Sequence, residues 1–368
     1  MPTPAAPELQ SRDSWRHVPR AVGIALEPRK LLLGALGLVL LWGGNALISQ
    51  LPFGSPPVHR EVALSGMSQW QSEWLKQLIG PVESIVAPAR VIFQNGNSWA
   101  RLGCAWTQLL WAVCVWSIIG GAITRMAALQ FARHERVGIR AALRFSARQF
   151  LSYLIAPGLA LSGIGCMAGC MAAIGWVASL VPSVGPTVLG AIWGVFLLLS
   201  FVMAMLALGL SLGWPLMIAA ISTEDSDGFD GLSRSFGFLY DRPWHAGLLV
   251  VSMGVVGSAG LCVLRVIFAL TASFAGWSVA AGFEELTTPT FFEYLTRDRW
   301  RHISFGASMN DAGALADYWL GLLSLLVTGY GPSFFWSAAT VIYFLLRQSD
   351  DGTPLDDVND VRDRKSEI

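Results

Sequence analysis

The feature that most constrains this chain is a set of six apolar runs, each long enough to cross a lipid bilayer. They cover residues 31–51, 104–124, 150–181, 187–221, 246–282 and 319–346. A bilayer's hydrocarbon core is about 30 Å thick, and a helix rising about 1.5 Å per residue spans it with about 20 residues. Lipid offers no water to the backbone, so each run has to bond its own N–H and C=O groups as a helix. Composition agrees. Hydrophobic residues make up 54% and charged ones 14%, against roughly 25% charged in a soluble domain, and mean hydropathy is +0.52. The sequence predicts an all-α polytopic transmembrane helix bundle of about six spans with two cytoplasmic amphipathic elbow helices. Only the turn PSVGP parts the third run from the fourth, which makes them an antiparallel hairpin. The fifth run continues past Arg265. It reads as one long tilted helix or as a span followed by a re-entrant segment, with a seventh crossing as the remaining alternative.

Lys and Arg are retained on the cytoplasmic side of a membrane. With the N-terminus inside, inner segments hold 17 of the 25 basic residues and outer segments 7, Arg265 lying within the fifth run. This bias predicts a multi-pass protein of the cell inner membrane with both termini in the cytoplasm. Arg12, Arg16, Arg20, Arg29 and Lys30 precede the first run, and no small-residue cleavage site is clear, so that run reads as an uncleaved signal-anchor. The expected organisation is a basic cytoplasmic N-terminus (1–30), a transmembrane domain (31–347) and a cytoplasmic tail (348–368). The tail is highly charged and without aromatics, a composition that predicts disorder. Between the first two runs, Trp70, Trp74, Leu78 and Val82 recur every four residues, predicting an amphipathic helix on the outer membrane surface, interrupted at Pro81.

The two inner loops read as versions of one elbow. Each follows a Met-Ala-Ala-type span end with a polar link, then a glycine, and an arginine six residues later: Gly138 to Arg144 and Gly228 to Arg234. In the first, Arg133, Arg136, Arg140, Arg144 and Arg148 are spaced 3, 4, 4 and 4, which on one continuous helix puts all five within about 120° of arc. Such a stripe can meet anionic lipid headgroups at the cytoplasmic face, each contact worth on the order of 1 kcal/mol. In the second, Phe229, Leu232, Phe236 and Tyr240 form the apolar stripe, and Asp227 is placed to cap the helix. Glu224, Asp225, Asp227 and Asp230 make the start of this elbow acidic, so it is a candidate to dock on the arginines of the first, with Asp227 and Asp230 as the candidate contacts.

The stretch WPLMIAAISTEDSDGFDGLSRSFGFLYDRPW resembles uncharacterised multi-pass bacterial membrane proteins in which a span ends in Trp-Pro-Leu-Met and an FD-x-LSRS elbow precedes an Arg-Pro. It is similar, more loosely and over about thirty residues, to the elbow of membrane regions attached to some glycerophosphodiester phosphodiesterases. The resemblance implies a membrane bundle without an assigned activity, since no phosphodiesterase active-site motif accompanies it.

Catalytic motifs are missing. The three lysines, Lys30, Lys76 and Lys365, follow no glycine, which excludes a P-loop, and there is no HExxH or GxSxG. Asp225, Asp227 and Asp230 fail as a calcium loop because Phe229 and Phe236 occupy ligand positions. The five cysteines lack metal-ligand spacing, and Cys166 and Cys170, four apart on a helix, point their sulfurs away from each other. No cofactor or metal is expected, and zero net charge argues against nucleic acid. Arg265 is the candidate intramembrane charge, placed to snorkel to the outer headgroups. Gly165 and Gly169, Gly190 and Gly194, and Gly254, Gly257 and Gly260 predict close helix packing. Trp42, Trp106, Trp214, Trp244 and Trp319 predict interfacial belts. The expected function is a non-catalytic transporter-like or scaffold component, partnered by the bilayer, its anionic headgroups and other membrane proteins. The alternative is a membrane enzyme acting on lipid headgroups at the outer face, for which His302, Asp298, Glu285 and Ser308 are the candidate cluster.

Overall fold

The computed structural model describes residues 15–51, 76–94, 98–181, 183–282, 291–296 and 312–358. Every regular element among the described residues is helical: α1 (Arg20–Ala25), α2 (Pro28–Ser49), α3 (Gly80–Phe93), α4 (Trp99–Arg133), α5 (Ile139–Arg148), α6 (Phe150–Ser179), α7 (Gly185–Glu224), α8 (Gly228–Asp241), α9 (Pro243–Ala280), α10 (Phe291–Thr296) and α11 (Ala312–Asp351), with a 3-10 turn at Trp15–His17. Six of these are long and apolar enough to cross a membrane: α2, α4, α6, α7, α9 and the Tyr318–Asp351 part of α11. The protein is an all-α polytopic bundle. The fifth run is one continuous helix of 38 residues, about 57 Å long, so Arg265 lies within a single helix.

Boundaries follow local chemistry. Proline near the start of α2, α7 and α9 supplies a preset φ where the first N–H groups would lack intrahelical partners anyway. Ser98 caps α4 by accepting from the Arg101 N–H at 3.3 Å, and Asp227 caps α8 by accepting from the Asp230 N–H at 2.9 Å. At their far ends α4 and α7 stop in the same unusual way, with a non-glycine residue in the left-handed region, His134 (φ 57°) and Asp225 (φ 54°).

Burial sorts the spans into layers. The apolar windows of α4 and α11 are 83% and 78% buried and those of α6 and α7 11% each, so α4 and α11 form the interior and the α6–α7 hairpin faces lipid. Trp116 of α4, Trp214 of α7 and Trp336 of α11 meet at the centre, the Trp336 ring centroid lying 6.1 and 5.1 Å from the other two. Trp214 thus belongs to the core and not to a belt, because a partner aromatic from a distant helix covers it. Trp42, Trp106, Trp244 and Trp319 are exposed. α2 crosses α11 where Gly34 and Gly329 meet: a Cβ on Gly34 would lie 2.3 Å from the Gly329 carbonyl oxygen. Gly257 and Gly260 make room in the same way for Phe334 and Tyr330, whereas Gly165, Gly169, Gly190, Gly194 and Gly254 have open space beside them. The small residues of the hairpin therefore face lipid and do not pack inside the bundle. Cys166 and Cys170, on the same helix, are exposed free thiols.

Two peripheral segments depart from expectation. Residues 76–78 are helical, Ile79 is a turn and Pro81 stands in the first turn of α3, so the helix is interrupted beside Pro81 as expected, but Leu78 is buried in the core and not laid on a membrane surface. Trp70 and Trp74 lie outside the described residues. The tail does not become disordered at residue 348: α11 runs to Asp351, Gly352 turns the chain, and Val358 is 2% exposed. Arg347 pairs with Asp357 at 2.6 Å, and Arg133 donates to the Val358 carbonyl at 2.7 Å. Two arginines and two apolar side chains, Leu355 and Val358, fasten a segment whose composition alone reads as solvated.

Candidate functional site

The end of the bundle that carries both elbows also receives both described chain ends. α1 packs there with Ala21 and Ala25 fully buried, and Lys30 is buried against Glu27 at 3.1 Å, the Ile24 carbonyl and Gln130. Between the last turns of α4 and the elbow helix α5 lies a cavity of about 600 Å³. Arg125, Arg136, Arg144 and Arg148 line it, with Glu135 the one carboxylate in the lining and Phe145 an aromatic wall.

The sequence folds this way for traceable reasons. The apolar stretch after Arg125 keeps α4 helical up to Arg133, so Arg125 stands about 12 Å inside the helix end and is only 3% exposed. Its guanidinium donates to the Ser222 carbonyl at 2.9 Å and lies 4.4 Å from the Phe145 ring centroid, a cation–π distance. Behind it a buried hydroxyl network joins three spans: Ser222 Oγ is 2.7 Å from Thr124 Oγ1 and 2.8 Å from the Tyr153 hydroxyl. Ser146 of α5 donates to the carbonyls of Ser117 and Ile118. That seats the elbow on α4 at Gly121, where a Cβ would come within 2.5 Å of Ser146 Oγ. Ala142, Ile139 and Leu143 pack inward, leaving Arg140, Arg144 and Arg148 on the exposed face.

The five arginines do not form one stripe. His134 ends α4 in the left-handed region and Gly138 starts α5 in an extended one, so the helix is broken between Arg133 and Arg140. Arg133 is drawn to Val358, Arg136 stands in the link, and the link is held from behind by Arg29, which donates to the Val137 carbonyl at 3.2 Å. Arg136, Arg140 and Arg144 make no hydrogen bond or ion pair among the described residues, whereas Arg148 pairs with Asp225 at 2.7 Å. The two elbows therefore touch through Arg148 and Asp225. Asp227 and Asp230 do not reach across; Asp227 caps α8, and Asp230 pairs with Arg234 of its own helix at 3.3 Å.

The second elbow is internally neutralised. Arg234 also pairs with Glu224 at 3.0 Å, and Glu224 accepts from the Tyr343 hydroxyl at 2.5 Å and lies 3.6 Å from Arg347. Burial lowers the Arg234 pKa, but Glu224, helped by Tyr343 and Asp230, more than offsets this and holds it above its ordinary value. Phe229, expected in the apolar stripe, is exposed at the start of α8, while Leu232 and Phe236 pack on the core and the Tyr240 hydroxyl donates to the Met205 carbonyl.

At the opposite end Arg265 is 5% exposed and donates to the Leu295 carbonyl at 3.2 Å. Burial beneath α10 takes the place of snorkelling. His302, Asp298, Glu285 and Ser308 lie outside the described residues, and among those described no three His, Cys, Asp or Glu side chains gather as metal ligands. Arg125, Phe145 and Ser222 were not marked by sequence pattern as site residues, whereas Asp225 belongs to the acidic start expected to meet the first elbow and does so through Arg148; the signal for Arg125 was a charge followed by seven residues without another. No family model, curated protein or solved structure matches the chain.

Proposed function

We propose that the protein is a non-catalytic component of the cell inner membrane, transporter-like or scaffolding, that holds anionic lipid headgroups at the cytoplasmic face through its first elbow. The observation that carries this reading is the cavity of about 600 Å³ lined by four arginines. Arginine's planar fork matches phosphate oxygens and stays charged at any physiological pH. Two further facts support it. Seventeen of 25 basic residues belong to the segments read as lying on the side of the elbows, and α5 packs its apolar residues on the bundle while presenting Arg140, Arg144 and Arg148 outward. The exposed apolar faces of α6, α7 and α9 leave broad contact with acyl chains.

The test is reconstitution in nanodiscs of phosphatidylcholine alone or with phosphatidylglycerol. The anionic lipid should raise the thermal midpoint of the wild type by mass action, and the double variant Arg136→Gln, Arg144→Gln should lose most of that rise. An equal rise in the double variant, or none in the wild type, would overturn the reading.

A further inference from the structure

The two elbows take similar paths through links of unequal length, the left-handed residue standing four residues before Gly138 and three before Gly228, and they differ in the charges around one arginine. Each leaves its span through a left-handed residue, His134 or Asp225, and enters its helix after an extended one, Gly138 or Asp227. Arg144 and Arg234 each stand six residues beyond the glycine. Arg234 has two carboxylate partners, Glu224 and Asp230. Glu224 immediately precedes the left-handed residue, and Asp230 is two residues past the glycine. In the first elbow the residue before the left-handed one is Arg133, and the residue two past the glycine is Arg140. Both built-in counter-charges of the second elbow are thus replaced by cations in the first, and Arg144 opens into the cavity with no ion pair among the described residues.

From this we infer that the ligand of the first elbow supplies the two negative charges that Glu224 and Asp230 supply in the second. It is a phosphate monoester, which has a second ionisation near pH 6 and so carries close to two charges at neutral pH, in preference to a phosphodiester, which carries one. The local count agrees. Four guanidiniums surround the cavity, and they meet two carboxylates, Glu135 in the lining and Asp225 on Arg148, leaving an excess of two positive charges. Phe145 closes one side, so part of the field acts across an apolar wall, where charges are screened less than in water. The monoester has two possible sources with this same chemistry, the headgroup of phosphatidic acid or a free phosphate. The inference rests on the headgroup reading above and adds selectivity to it.

The experiment uses the full chain in phosphatidylcholine nanodiscs carrying either phosphatidic acid or phosphatidylglycerol with matched acyl chains, and in a third arm inorganic phosphate without anionic lipid. At pH about 7.5 phosphatidic acid should bind about tenfold more tightly than phosphatidylglycerol, one extra charge near an arginine being worth about that much. At pH about 5.5, where about three quarters of the free monoester has lost its second charge, the preference should fall to about threefold. Any protonation of His134, Glu135 or Asp225 on acidification adds positive charge and strengthens anion binding, so the fall in preference reports the ligand. Arg140→Asp copies Asp230 and places a carboxylate four residues before Arg144; it should abolish the preference while the protein stays folded, and Arg140→Asn should keep it. Equal binding of the two lipids at the higher pH, both above phosphatidylcholine, would overturn the selectivity and leave the headgroup reading standing. No anionic lipid binding above phosphatidylcholine would overturn both. Inorganic phosphate protecting as well as phosphatidic acid would keep the dianion and replace the headgroup by a soluble source.

Discussion

Asp225 does three things from one position, and they can be separated. It ends α7 in the left-handed region at φ 54°, accepts from Arg148 at 2.7 Å, and accepts from Gln149 at 2.5 Å. Left-handed backbone costs an ordinary L-residue roughly 1–2 kcal/mol, whereas Asn and Asp tolerate it through short polar side chains. Arg148 is half exposed, so solvent screening holds the ion pair itself below about 1 kcal/mol. Asp225→Ala should therefore lower the thermal midpoint clearly more than Asp225→Asn, followed by intrinsic tryptophan fluorescence; equal losses would refute the backbone argument. Asp225→Asn also releases Arg148 from its charged partner, so it should tighten retention of phosphatidylglycerol even as stability falls slightly. Loss of stability with weaker lipid retention would show that the pair orients Arg148 for the ligand instead of competing with it.

The spans were legible in the sequence because apolar length is a local property, and all six long helices stand on the runs read as spans. Asp227 as a cap was legible for the same reason, a short polar side chain just ahead of an apolar period. What depends on residues far apart in the chain was not. Trp214 has the composition of a belt residue until Trp336 covers it. The arginine spacing of the first elbow implies one stripe until His134 ends α4 in the left-handed region, four residues ahead of Gly138, and breaks the helix. The segment after α11 has the composition of a solvated tail, yet Leu355 and Val358 are packed against the core, and Arg133 and Arg347 hold its backbone and Asp357. Each apolar side chain contributes on the order of 1.5–3 kcal/mol when fully buried. Removing residues 352–368 should thus cost about 3 kcal/mol or more and lower the melting temperature measurably, and by more than removing only 359–368, which leaves Leu355, Asp357 and Val358 in place. Equal melting of the two truncations would show that the docked turn contributes nothing.

At the scale of the molecule, six crossings bring the start of α2 and the end of α11 to one end of the bundle, and both elbows lie at that same end. The contacts make this concrete: Arg29 reaches the link before α5, and Arg133 reaches the segment after α11. Lys30, Arg125, Glu224 and Arg347 are all buried or nearly so at this end, and the proposed cytoplasmic placement of this pole rests on the excess of Lys and Arg in the segments read as inner. The assignment is open to a direct test with single cysteines in a background whose five native cysteines are serine. A charged, membrane-impermeant maleimide needs an aqueous thiolate. Arg140→Cys, exposed on α5, and Gly282→Cys, exposed just beyond the opposite end of α9, report the two poles. In spheroplasts the reagent should label Gly282→Cys and spare Arg140→Cys, and in inverted vesicles the pattern should reverse. Labelling of Arg140→Cys in intact spheroplasts would invert the topology, place the arginine cavity on the outer face, and move its ligand from the cytoplasmic leaflet to the outer one.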